Sequence, residues 1–286
     1  MKMCQEDLYL GITKELVELG IAKIIDPYDN EYNFYEKYTN YDEDIPLYKK
    51  YALKSNGPVL DIACGNGRIM EHLVKENIQV YGIDISESMI TNLKRKILQD
   101  EWCAEVEIND MRDFVKHSAY GLAMISYGSI CYLKNLDECQ IVFDNVYQSL
   151  KKEGYLIFDF EIGDGREKRE GPFISDKIIL DNQSTNLLRV VELYDKKNFT
   201  RICNVTNYYI HDGKKEILIE VSEERNYKYC DIEKALIKSG FSILQVMSNY
   251  KGKIFDPDLD KSGECIIVAQ KNKNITFKYV KVENRK

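Results

Sequence analysis

A short apolar run that ends in a glycine turn constrains this chain more than any other feature. Val59-Leu60-Asp61-Ile62-Ala63 leads directly into Cys64-Gly65-Asn66-Gly67-Arg68, and a helical stretch follows over residues 68–76. A strand, a tight turn and a helix in that order bring the turn to the carboxyl edge of a sheet, where nucleotide-type ligands bind. Glycines let the backbone turn sharply there and approach a ligand closely. Met70 stands where a third glycine would complete a phosphate fingerprint, so a ligand without a pyrophosphate is favoured.

The segments downstream repeat the theme. Residues 78–84, 105–108, 122–126 and 155–160 read as strands. Helices are expected from the Ser86 cap to about residue 98 and over 135–150, with Gly154 just beyond the second. Strands alternating with helices imply parallel βαβ units. The alternation breaks over 175–225, where β-type runs are separated by Asp181-Asn182, Lys196-Lys197-Asn198 and Asp212-Gly213. The Asp-Gly pair is a hairpin signal, and the stretch reads as an antiparallel insertion lying over the core. A helix over 231–238 ends at Gly240, and strands at 241–247 and 264–270 finish the pattern.

The N-terminal part reads differently. Leu8, Ile12, Leu16, Leu19 and Ile24 predict a helix over 6–25, stopped by Pro27. A tyrosine-dense segment with Tyr28, Tyr32, Tyr35, Tyr38 and Tyr41 follows, then a helix over 44–53 with Pro46 in its first turn. The expected organisation is a helical, tyrosine-rich lid (1–55), a ligand-binding core (56–162 and 230–271), an antiparallel substrate cap (163–229) and a tail (272–286). The fold class is α/β, doubly wound and Rossmann-like.

Candidate site residues lie where strands end. Asp84 closes the second strand, about twenty residues past the glycine turn; a carboxylate there can accept both hydroxyls of a ribose. Asp110 after the third strand can accept an adenine amine, and Met111 can cover the ring. Ser126 and Tyr127 follow the fourth strand and face the same cleft. Asp159 and Glu161 end the fifth strand and share one face by alternation. They are suited to receive an amine and its proton.

Charge and composition exclude several classes. The 286 residues carry a formal net charge of −7 with a pI near 5.3, which argues against nucleic acid as partner. No apolar run is long enough to span a membrane, and no signal segment is visible, so a cytoplasmic location is expected. The eight cysteines form no CxxC pair and only three histidines occur (His72, His117, His211); no metal site is expected.

With these motifs assembled, the chain resembles the class I S-adenosyl-L-methionine (SAM)-dependent methyltransferases. The glycine turn, Asp84, Asp110-Met111 and the apolar fourth strand recur there in this order. The resemblance implies a seven-stranded sheet whose last strand is antiparallel, with SAM as cofactor. It places the methionine moiety near Ala63, Cys64 and Gly65, the ribose at Asp84 and the adenine at Asp110 and Met111. Asp61, Gly67, Arg68, Ile85 and Met89 complete the expected cofactor set.

Within that family the small-molecule branch is the nearest. Tyr28-Asp29-Asn30-Glu31-Tyr32 and Tyr41-Asp42 resemble the lid of aminosugar N-methyltransferases, and residues 124–130 resemble their fourth-strand motif. Tyr28, Tyr32 and Tyr41 are expected to offer aromatic faces to the sulfonium. The chain departs after the fifth strand, where Phe158-Asp159-Phe160-Glu161 replaces a Glu-Pro-Trp-like sequence, which puts a sugar in question. The expected reaction is in-line methyl transfer to a small-molecule acceptor, an amine by preference, with Asp159, Glu161 and Tyr127 as catalytic candidates. A peptide, protein or nucleic-acid acceptor, and an inactive SAM-binding partner subunit, stand as alternatives.

Overall fold

The computed structural model describes residues 5–26, 28, 41–163, 172–180, 184–195, 197–211, 213–260 and 262–271. A seven-stranded sheet is built from β2 (Val59–Ile62), β3 (Val80–Asp84), β4 (Ala104–Ile108), β5 (Tyr120–Ile125), β6 (Leu150–Gly163), β11 (Phe241–Met247) and β12 (Ser262–Lys271). Its order is β11-β12-β6-β5-β2-β3-β4. Neighbours from β6 to β4 run parallel, and β12 is antiparallel to both β6 and β11. This is the arrangement the resemblance implied. All six residues of β5 are buried, as expected of a central strand covered on both faces.

Strand alternation divides the core. Leu60, Ile62, Phe158 and Phe160 pack on one face with Phe143 and Leu236. Val59, Leu122, Met124 and Ile157 pack on the other with Tyr48, Ile69 and Met70. The helices on the first face are α5 (Leu136–Ser149) and α6 (Tyr229–Lys238). Those on the second include α2 (Ile45–Lys54) and α3 (Arg68–Val74). Ser86 caps α4 (Glu87–Gln99) by accepting from the Met89 amide, and Asn135 caps α5 by accepting from Glu138.

A second sheet of five strands has the order β1-β10-β9-β8-β7. It comprises β1 (Lys23–Ile25), β7 (Phe173–Leu180), β8 (Ser184–Asp195), β9 (Thr200–His211) and β10 (Lys214–Arg225). β7 to β10 form antiparallel hairpins, and β1 adds to β10 in parallel.

The continuous helix expected over 6–25 does not form. A 3-10 turn (Gln5–Leu8), a short α1 (Thr13–Glu18) and β1 occupy it instead. Gly11 and Gly20 break the helix at φ +61° and +66°. Asn204 on β9 captures the Leu8 carbonyl and the Leu10 amide. Ile12 and Leu19, counted toward an apolar stripe, are exposed. The motif at residues 29–32, including Tyr32, and the tail at 272–286 lie outside the described residues. Among the described residues no helix is long and apolar enough to cross a membrane.

Candidate active site

The glycine turn has the geometry a close ligand requires. Ala63, Gly65 and Gly67 all have positive φ, at 56°, 52° and 83°. Ala63 carries a side chain in that region, an uncommon conformation that clusters at functional sites. The Gly65 amide donates to Asp84 Oδ2 at 2.8 Å, and the Ser86 amide to Oδ1 at 2.8 Å. Asp84 is thus fixed at the carboxyl end of β3. Burial nevertheless raises its pKa above the ordinary aspartate value.

Across the turn, Arg68 donates to both oxygens of Asp44, at 2.7 and 2.6 Å, and to the Tyr41 carbonyl at 2.8 Å. Its guanidinium also lies 5.9 Å from the Tyr41 ring centre and 5.7 Å from that of Tyr127. The residue before α2 and the aromatic end of the lid are therefore tied to the glycine turn. A small hollow beside them is lined by Asp61, Ala63, Cys64, Asn66, Arg68, Ser126 and Tyr127. Asp61 is buried, and its Oδ1 has no hydrogen-bond partner among the described residues. Burial pushes its pKa up to about 8. An unpartnered buried carboxylate oxygen beside a backbone turn fits an ammonium such as that of an amino acid.

A cavity of about 850 Å3 opens from this turn and runs beneath the second sheet. Its floor includes Ala63, Gly65, Asp84, Ile85, Met89 and Met111; its far wall includes Asp159, Phe160 and Glu161. Tyr28, Tyr41 and Tyr127 also line it. Tyr127 and Gly128 both have positive φ, 58° and 67°, so the turn after β5 mirrors the turn after β2. The Cys64 thiol packs in the core, where a Cβ at Gly82 would meet its Sγ at 2.8 Å. Asp110 does not line the cavity. Arg112 donates to it through Nε at 3.0 Å and through Nη2, and holds its carboxyl below the usual range.

Residues 59–154 match the family model described as a methyltransferase domain. A methyltransferase-like protein of Geobacillus sp. (strain WCH70) is 24% identical over 226 residues, covering 78% of this chain and 86% of that one. The dTDP-3-amino-3,4,6-trideoxy-alpha-D-glucopyranose N,N-dimethyltransferase of Streptomyces venezuelae is 32% identical over 101 residues, 35% of this chain and 41% of that one. The structure of the sugar N-methyltransferase KedS8 from Streptoalloteichus sp. superposes with a TM-score of 0.71 at 17% identity, covering 87% of this chain and 96% of that one. The chain carries a methyltransferase domain.

Several residues of the methyltransferase cavity were not foreseen. Tyr250, after β11, donates to Asp159 Oδ1 at 2.9 Å and shares a 3.1 Å hydrogen bond with Tyr48. Tyr48 reaches the same oxygen at 3.4 Å, and the Gly128 amide donates to Oδ2 at 2.6 Å. Asp159 is thus a buried hub that holds two tyrosines and the turn after β5. Burial pushes its pKa up to about 6. Glu264 on β12 faces Glu161 across the strand pair, and burial with neighbouring carboxylates pushes it up to about 7.

The ceiling comes from the second sheet. Arg201, Cys203 and Val205 of β9 line it opposite Glu224, Ser222 and Glu220 of β10, three cross-strand pairs in register. Alternation within 220–224 was the signal available in the sequence, and only the fold says which face is inside.

Proposed function

We propose that this methyltransferase transfers the SAM methyl group to the amine nitrogen of a small molecule held between the glycine turn and the ceiling of β9 and β10. The observation that carries the reading is one continuous cavity that runs from the glycine turn past Asp159, Phe160 and Glu161 to the ceiling of β9 and β10. Its volume, about 850 Å3, is in the upper part of the roughly 300–1,000 Å3 range of small-ligand sites. The local likeness to an aminosugar N,N-dimethyltransferase supports an amine as acceptor.

SAM supplies an electrophilic methyl on a good leaving group. The chain's part is to hold the acceptor nitrogen in line and to keep water out. Asp84 would take the ribose hydroxyls, Met89 and Met111 the adenine faces, and Asp61 with the turn at 63–65 the amino-acid end. Tyr41 and Tyr127, backed by Arg68, close the crevice toward the lid. Residues 163–229 act as the acceptor cap. A neutral amine needs no strong base, only an acceptor for its proton, and Glu161 or Glu264 can supply it. Asp159, with both oxygens engaged, serves to hold Tyr250 and the Tyr127-Gly128 turn.

The test is direct. Purified protein is titrated with SAM by calorimetry, then incubated with labelled SAM and a fractionated pool of small amines. Label in the small-molecule fraction supports the reading. Label confined to protein or nucleic acid overturns the acceptor class, and no SAM binding by folded protein overturns the whole.

A further inference from the structure

Glu161 and Glu264 are direct partners across β6 and β12, and both line the cavity. Like charges placed opposite each other destabilise a sheet pair. The charges that act most on Glu264 come from Asp159, Glu161, Asp44 and Glu43, all acidic. On the other side of the chamber Glu220 lines the ceiling and accepts from Asn207 Nδ2 at 2.8 Å, while Asn207 Oδ1 accepts from Asn186 Nδ2 at 2.8 Å. The one cationic side chain among the described lining residues is Arg201, and it is engaged by Glu224 at 2.5 Å and by Glu192 at 3.4 Å.

Aromatic rings occupy the same walls independently of the carboxylates. Tyr41 lies 6.0 Å from Tyr127 and 6.2 Å from Tyr250, centre to centre, and Tyr28 lies 6.4 Å from Tyr132. All five line the cavity. Aromatic faces beside carboxylates are the surroundings that receive alkylammonium groups. A phosphate group would meet the reverse: the carboxylates of Glu161, Glu220 and Glu264, and an arginine engaged by Glu192 and Glu224.

Given the methyltransferase reading of this cavity, we propose that its acceptor is a cationic amine, and not a phosphate-bearing sugar nucleotide: Glu264 and Glu161 receive the ammonium, one of them takes its proton, and the neutral nitrogen then attacks the methyl carbon as the carbon–sulfur bond of the sulfonium breaks. The acidic chamber then selects by charge, since an anionic acceptor is opposed by like-charge repulsion. An ammonium placed between Glu161 and Glu264 offsets the like-charge repulsion of that cross-strand pair.

The experiment uses the full chain saturated with S-adenosylhomocysteine, whose own binding is measured first. 1,4-Diaminobutane, glucosamine and thymidine diphosphate are then titrated in turn by calorimetry at low and high ionic strength. The expected result is binding of at least one amine, weakened about tenfold in Glu264→Gln and in Glu161→Gln, and no binding of thymidine diphosphate. Absence of amine binding, amine binding by both variants as tight as by the wild type, or preferential binding of thymidine diphosphate overturns the proposal. Failure of the wild type to take S-adenosylhomocysteine sinks the methyltransferase reading instead. Unchanged S-adenosylhomocysteine affinity in a variant certifies its fold, and either variant alone suffices.

Discussion

Arg68 and Asp44 form a two-pronged ion pair, 2.7 and 2.6 Å, between the glycine turn and the residue that precedes α2, with Asp44 wholly buried. Through it and the Arg68 bond to the Tyr41 carbonyl, the glycine turn, Tyr41 and the start of α2 are held together. A pair of this kind is costly to break singly, because the surviving charge stays out of water.

Asp44→Asn is therefore expected to lower stability by about 3 kcal/mol, read from urea unfolding. Arg68→Lys is expected to recover little of the loss in Arg68→Ala, because an ammonium lacks the planar fork that meets both oxygens. Both changes should also weaken SAM binding in calorimetry, since Tyr41 loses its anchor. A Lys variant with wild-type stability and affinity would show that charge alone matters at this position.

Asp84→Ala removes the carboxylate expected to receive the ribose. Charge-assisted hydrogen bonds are worth about 1.5–3 kcal/mol each, so SAM affinity should fall by roughly a hundredfold while circular dichroism shows a folded protein. Affinity within a factor of about three (some 0.7 kcal/mol) would place the ribose elsewhere.

Stability should fall as the medium becomes more alkaline. Burial raises Asp61 to about 8, Asp159 to about 6, and Glu220 and Glu264 to about 7. A raised carboxyl binds more protons in the folded chain than in the unfolded one, so stability is lost as pH climbs from the unfolded pKa near 4 through these values. Glu264→Gln removes one such loss. Its melting temperature should exceed wild type by about 3 °C near pH 8 and match it near pH 5. The opposite order in a differential scan would mean that Glu264 gains more from an unrecognised cation than it loses by burial.

Tyr250→Phe deletes one donor to Asp159 and leaves the ring. The expected cost is about 1.5–3 kcal/mol, with SAM affinity retained and turnover reduced, because the Tyr127-Gly128 turn shares the same carboxylate. Asp159→Ala should be worse, since it strands the Gly128 amide as well. Equal behaviour of the two variants in unfolding and in turnover would show that the Gly128 contact carries no weight.

Much of the core was legible because its signals are local. The run 59–63, the turn at 64–68 and the caps Ser86 and Asn135 each specify their own backbone. Strand alternation then put Asp159 and Glu161 on one face before any contact was known. The site was less legible wherever it depends on distant segments. Tyr250 and Glu264 reach Asp159 and Glu161 only after β12 pairs with β6, and Tyr48 only when α2 packs on the sheet. The N-terminal stripe misled because Leu8, Leu16 and Ile24 repeat with helical spacing while Gly11 and Gly20 decide the backbone. Asp110 read as an open acceptor because nothing in the spacing reveals that Arg112 turns back onto it.

The parallel pairing of Lys23–Ile25 with Leu218–Glu220 has a practical consequence for shuffling segments among relatives. The second sheet is assembled from two stretches of chain nearly two hundred positions apart. Transplanting 163–229 alone into another methyltransferase would strip Leu218–Glu220 of β10 of their partners on its outer side. An edge bared in this way invites sticking between molecules. A chimaera that changes acceptor preference and stays monodisperse should carry the first twenty-six residues along with the hairpins.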